Sequence, residues 1–246
     1  MKKLLLVTGA ALALGTAGAS SAAALTAPSG NIGTLPGFYL GVGAGYGGMS
    51  TPKLNAADKA PSPGNSSEKF RGFAARGFLG YLWALPQIQN FKLGAELGYN
   101  YYPKNKYTIG PAGTQDSWNY KGWNVDLLAV GKYNFGDTGF NIIGKVGPAY
   151  VKQKTTFNGG NFWTWTAPVG STFTRTKSKV KAEAAIGLGY DINQNIDINL
   201  VYSYIFGNKP ENISNPATLD GFTKVASVYT LLFNVAYHFG NVGGLV

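Results

Sequence analysis

Residues Val228 to Phe239 read VYTLLFNVAYHF, and they restrict the fold more than any other stretch. The odd positions Tyr229, Leu231, Phe233, Val235, Tyr237 and Phe239 are large and apolar, whereas Thr230, Asn234 and His238 among the even ones are small or polar. A period of two gives a β-strand one wet face and one apolar face. A dozen residues at about 3.3 Å each, tilted, reach across the hydrocarbon of a bilayer. A lone strand in lipid would leave its N–H and C=O groups unpaired, so the sheet has to close into a barrel. Closure demands an even number of such strands, joined alternately by short turns and long loops.

The same alternation recurs along the chain. It predicts strands over Gly37–Gly47, Phe70–Trp83, Phe91–Tyr102, Gly122–Phe135, Phe140–Val151, Val180–Tyr190, Ile196–Phe206 and Val228–Phe239. The third is the cleanest: Phe91, Leu93, Ala95, Leu97, Tyr99 and Tyr101 alternate with Lys92, Gly94, Glu96, Gly98 and Asn100. Pro148 has no N–H to give to a ladder, so a bulge or a frayed strand end is expected there. Short turns lie at ALPQIQN, Gly136–Gly139 and Asp191–Asn195, and long polar connections at Gly48–Lys69, Pro103–Lys121, Lys152–Lys179 and Gly207–Ala226. Four long connections at one end, with three short turns and both termini at the other, predict an all-β, eight-stranded antiparallel up-and-down transmembrane β-barrel.

Residues 1–24 stand apart from this pattern. Lys2 and Lys3, the apolar run Leu4–Leu14 and the small residues Ala22, Ala23 and Ala24 form the three regions of a secretory signal peptide, leaving 25–246 as the barrel domain. The chain has no cysteine, which excludes disulfide staples and thiolate metal sites and suits export through an oxidising compartment. The formal charge of +10 falls to +8 once the two leader lysines are removed.

The polar faces of the strands carry Arg76, Lys92, Glu96, Asp126, Lys132, Lys145, Lys181, Glu183 and Asp197. A lipocalin also has eight strands, but its apolar calyx would not hold these ions. In a closed eight-stranded barrel they point into a lumen filled by side chains, where four acids against five bases predict a compensating ionic network. Arg76 and Glu96 stand at similar height, with Lys145 near Glu96 and Lys132 lower, beside Asp197. Gly43-x-Gly45-x-x-Gly48 matches a dinucleotide fingerprint by letters, but a Pro-, Ser- and Gly-rich loop follows it rather than a helix. The glycines are read instead as fitting a crowded interior.

The leader, the opening GFYLGVGAGYG, the eight alternating strands and the closing YHF resemble the OmpA-like and opacity-type outer-membrane β-barrel proteins over nearly the whole mature chain. The resemblance implies a bacterial outer-membrane location, extracellular long loops and periplasmic termini. It also implies a C-terminal aromatic signal read by the barrel-assembly machinery, which Tyr237 and Phe239 match ahead of the tail Gly240–Val246. A second, peptidoglycan-binding domain is not expected.

Chemistry is sparse. The single histidine, His238, lies at the turn end, a membrane thickness from the loop serines, so a Ser–His pair is not expected. No ligand spacing suggests a metal, and no enzyme activity or cofactor is predicted. The third long connection holds Lys152, Lys154, Arg175, Lys177 and Lys179 without an acid, together with Trp163 and Trp165 as candidate contact residues. Partners expected from this pattern are outer-membrane lipids and lipopolysaccharide, with host surface ligands as candidates. No nucleic acid is expected, and the barrel reads as a monomer. The predicted role is structural or adhesin-like surface interaction through four loops; the alternative is a small pore for ions or hydrophobic molecules.

Overall fold

The computed structural model describes residues 33–50, 67–69, 71–85, 87–88, 90–109, 116–159, 172–208 and 224–240. The predicted leader, the loop tryptophans Trp163 and Trp165 and the tail after Gly240 lie outside them. Nine strand segments follow in order: β1 (Gly37–Met49), β2 (Ser67–Lys69), β3 (Arg71–Ala84), β4 (Phe91–Ile109), β5 (Asp116–Asn134), β6 (Phe140–Asn158), β7 (Thr172–Asp191), β8 (Ile196–Ile205) and β9 (Val228–Gly240). Each pairs antiparallel with its successor along the wall, and β9 pairs with β1 to close it. The three-residue β2 lies against the top of β4, just ahead of β3, so the closed wall has eight strands.

The registers accumulate around the wall to a shear of about ten residues. For eight strands that sets a tilt of about 40°, so each residue climbs about 2.5 Å along the axis. The interior of such a barrel is about wide enough for side chains to fill. The outward face carries an apolar middle, including Leu97, Leu127, Ile186, Leu200 and Leu231, between two aromatic belts. Phe38, Trp83, Tyr133, Phe140 and Phe239 mark the belt at the turn end, and Tyr46, Phe73, Tyr101, Tyr150 and Phe206 the belt nearer the loop end. Such belts sit where hydrocarbon meets headgroups.

Three expectations need correction. The segments Pro103–Lys121 and Lys152–Lys179 are not simply loops, because β4 and β5 pair up to Ile109 and Asp116, and β6 and β7 up to Asn158 and Thr172. The polar composition that looks like loop is that of strands standing clear of lipid, where the outward face needs no apolar residues although Tyr120 and Phe157 are buried on the inward one. Pro148 causes no bulge: Asp126 pairs with Ala149 and Ala129 with Val146 in one register, and only the pairings between them drop out. Asp191 is not a turn residue; it ends β7 and is fully buried.

Candidate functional site

The lumen is built in layers, and alternation decides what enters each. At the turn end, Lys132 on β5 bridges Asp191 on β7 and Asp197 on β8, both at 2.7 Å. Asp191 also accepts bonds from Asn134, Asn141 and the backbone N–H of Thr34. Thr34 in turn accepts from Lys132 at 2.9 Å, and Leu35 N–H donates to the Gln194 carbonyl, so the chain leading into β1 lies across this end. His238 bonds Asp197 through Nε2 at 3.2 Å and stacks on Tyr39, with ring centroids 5.2 Å apart. Above this comes an apolar layer of Tyr39, Phe78, Leu82, Val130, Ile143 and Ala236.

The next layer is ionic. Arg76 binds Asp126 twice, at 2.8 and 2.7 Å, and Glu96 once, at 2.9 Å. Lys145 takes both oxygens of Glu96 at 2.7 Å, and the Tyr39 hydroxyl donates to the same carboxylate. Asn100 and Asn124 donate to Asp126, and Asn124 also to Glu183 at 3.2 Å. Arg76 and Lys145 both lie over the Phe78 ring, at 5.7 and 5.1 Å. A small cavity beside this cluster has Arg76, Lys145, Glu183 and Asn234 on one side and apolar residues, Leu128 and Leu232 among them, on the other. Arg76 Nε and Asn234 Oδ1 have no hydrogen-bond partner among the described residues.

Toward the loop end, Met49, Tyr102, Val151, Val225, Ala226 and Val228 are buried together. Gln153 holds Ala226 by both its backbone groups, at 2.9 and 2.8 Å, so residues 225–228 turn inward over the lumen. Side chains therefore occupy the described interior at each of these levels, leaving the small cavity beside Arg76 and Glu183.

Of the nine charges singled out in the sequence, seven join the two clusters. Lys92 is half-buried at the turn end and makes no salt bridge among the described residues. Lys181 sits at the loop end, bonded to Asn208 Oδ1 at 2.7 Å. Sequence reasoning missed Asp191, although the alternation that put Glu183 in the lumen reaches it four steps of two further on.

The basic segment of the third connection is divided rather than gathered. Lys152 and Lys154 share the outward face of β6 with Tyr150, whereas Arg175, Lys177 and Lys179 share the inward face of β7 with Lys181 and Glu183. Because β8 ends at Ile205, the upper part of β7 has no strand partner on that side among the described residues. Tyr237 and Phe239 face outward at the turn end, their rings 4.9 Å apart.

A closed antiparallel wall, apolar outside and ionic within, defines a membrane-spanning β-barrel of the outer-membrane class. The chain belongs to the outer membrane protein beta-barrel domain family, whose pattern matches residues 9–239. The fold is similar to outer membrane protein OprG from Pseudomonas aeruginosa, at 15% identity and a TM-score of 0.46 over 85% of this chain and 100% of that one. It is also similar to Neisserial surface protein A, at 13% identity and 0.44 over 82% and 97%. Ail, the attachment invasion locus protein of Yersinia pestis, aligns at 14% identity and 0.39 over 82% and 99%. No curated protein matches the chain.

Proposed function

We propose that this bacterial outer-membrane barrel works from its loop end as a surface-interaction protein, with that end outside the cell and the termini in the periplasm. The observation that carries this reading is an asymmetry of the wall. The lumen is filled through successive layers, yet β4 to β7 continue roughly 20 Å beyond β8 and β9 as a polar, basic screen. A pore needs a continuous wet path, whereas a surface protein needs a rigid platform for contact residues. Tyr237 and Phe239 suit the assembly signal, and lipopolysaccharide and host surface ligands suit the basic residues of the screen and the tryptophans in the sequence between β6 and β7. The charged side chains Arg76, Lys145 and Glu183 at the edge of a small lumen cavity favour a second reading, a small gated pore.

Two measurements separate these readings. Purified protein in planar bilayers is expected to give no steps of single-channel conductance, and cells displaying it should attach to a host surface in a way that Trp163→Ala with Trp165→Ala abolishes. Regular conductance steps, with attachment unchanged in the double variant, would replace the surface reading by the pore.

A further inference from the structure

On the outward face of the screen, Lys121 of β5 stands directly opposite Lys154 of β6, and Trp123 directly opposite Lys152. Directly opposed residues of an antiparallel pair have their side-chain roots about 5 Å apart, and diagonal ones about 7–8 Å. Three lysines thus share one small patch, all of them exposed. No carboxylate among the described residues lies on this face beside them. Like charges directly opposed destabilise a sheet.

Protection of a free edge is one structural reason for lysines on a strand. It fits Arg175, Lys177 and Lys179, which lie on the upper part of β7 where β8 has stopped. It does not fit Lys121, Lys152 and Lys154, whose strands are paired on both sides at this level or belong to the interior of the wall. These three need an external anion instead.

Their height indicates which. Immediately below them Tyr99, Trp123 and Tyr150 form a row of rings with centroids 5.9 and 6.1 Å apart, and Lys152 Nζ lies 5.8 Å from the Trp123 ring. Rings of this kind mark the headgroup level, so the ammonium groups sit about one pair of residues, roughly 5 Å, above it. On the far side of β6, Ser178 is opposite Lys152 and Thr176 opposite Lys154, both exposed on the same face and able to donate O–H bonds. Flexible cations flanked by hydroxyls, at the edge of an apolar belt, match phosphate groups fixed at the surface of a leaflet.

We propose that Lys121, Lys152 and Lys154, with Ser178 and Thr176, form a binding site for the phosphate groups of lipopolysaccharide in the outer leaflet. The lipid's sugar-phosphate headgroup lies against the outward face of β5 to β7, and its phosphates neutralise the opposed lysines. The proposal rests on the loop end being outside the cell.

The test uses the full chain folded in detergent. Lys121→Gln/Lys152→Gln/Lys154→Gln is compared with Arg175→Gln/Lys177→Gln/Lys179→Gln, which removes the same charge from the opposite face. Titration with lipopolysaccharide at physiological salt is expected to show the outward triple variant on the order of a hundredfold weaker, about fivefold per lysine. The inward variant should stay within about threefold of wild type. Chemically dephosphorylated lipopolysaccharide should bind wild type as weakly as intact lipid binds the outward variant, and inorganic phosphate at millimolar concentration should not compete. Heat-modifiable gel migration verifies that each variant is folded. Equal losses in the two variants, or none in the outward one, overturn the site; competition by inorganic phosphate would make it a site for the free ion. Labelling Thr174→Cys on intact cells with an impermeant thiol reagent reports the orientation separately, so a wrong orientation is not confused with a failed site.

Discussion

Arg76 on β3 and Asp126 on β5 are joined by two parallel bonds across the intervening strand β4. The crossing is possible because Gly98 lies beneath it: a Cβ at that position would run into both the guanidinium and the carboxylate. Residues 50 positions apart thus meet over a single glycine, and the fork geometry makes this the strongest link in the lumen. Charge alternation alone had favoured Glu96 as the partner of Arg76, but both Glu96 oxygens are also held by Lys145.

That division of partners predicts unequal couplings. Arg76→Ala leaves Asp126 without a cation and is expected to cost about 3–5 kcal/mol of unfolding free energy in detergent. In double-mutant cycles the coupling of Arg76 with Asp126 should exceed that of Arg76 with Glu96, because Lys145 continues to neutralise Glu96. Urea unfolding of the two cycles checks this. A larger coupling to Glu96 would mean that the shared carboxylate, not the bidentate one, anchors Arg76.

Much of this was legible beforehand because a barrel strand has only two faces. With Leu97 outward, Glu96 and Gly98 have to be inward, and the strand count follows from the same alternation, whereas the family rests on the resemblance of the leader, the opening GFYLGVGAGYG and the closing YHF. The residues that escaped are those for which alternation carries no information. Asp191 looks like a turn residue since aspartate is common in turns, and only its buried position at the end of β7 shows it to be the hub of the lower cluster. The extensions of β4 to β7 escaped for a different reason. Above the bilayer the outward face of a strand meets water and carries lysine and threonine, so Lys152–Asn158, although Gln153 and Phe157 are buried inward, lacks the apolar outward face that identifies a barrel strand.

The lower hub carries its own prediction. Replacing Asp191 by Ala would remove the acceptor for Asn134, Asn141, Thr34 N–H and one bond of Lys132 at once. Asp197 still neutralises Lys132, so the barrel should remain folded, while the lead-in at Thr34 and Leu35 loses its main tether. Hydrogen exchange at the Thr34 amide is expected to rise by at least tenfold, corresponding to about 1.4 kcal/mol for a lost charge-assisted bond. Exchange at Leu35, bonded to the Gln194 carbonyl, should rise less. An unchanged Thr34 rate would show that the backbone contacts hold the lead-in without Asp191.

The seam between β1 and β9, which closes the wall, gives the last prediction. Gly45 on β1 faces inward against β9, and a Cβ there would lie within the contact distance of the Leu231 carbonyl and the Leu232 backbone. Those are main-chain atoms of a paired strand, so they cannot turn aside as a side-chain tip could. Gly77 on β3 lies on the exposed outward face, and a Cβ there would meet nothing within 4 Å. The same substitution should therefore have opposite signs at two nearby positions. Gly77→Ala is expected to stabilise by up to about 0.5–1 kcal/mol, since glycine loses more conformational freedom in a strand than alanine does. Gly45→Ala should destabilise by about 1–3 kcal/mol, the usual cost of forcing an extra carbon into a packed interior. It should also slow the acquisition of the heat-resistant, fast-migrating form, because the seam is the pairing that completes the barrel. Urea titrations and folding time courses in the same detergent read both effects. If the two changes shifted stability in the same direction, close approach of β1 to β9 would not be the reason for glycine at position 45.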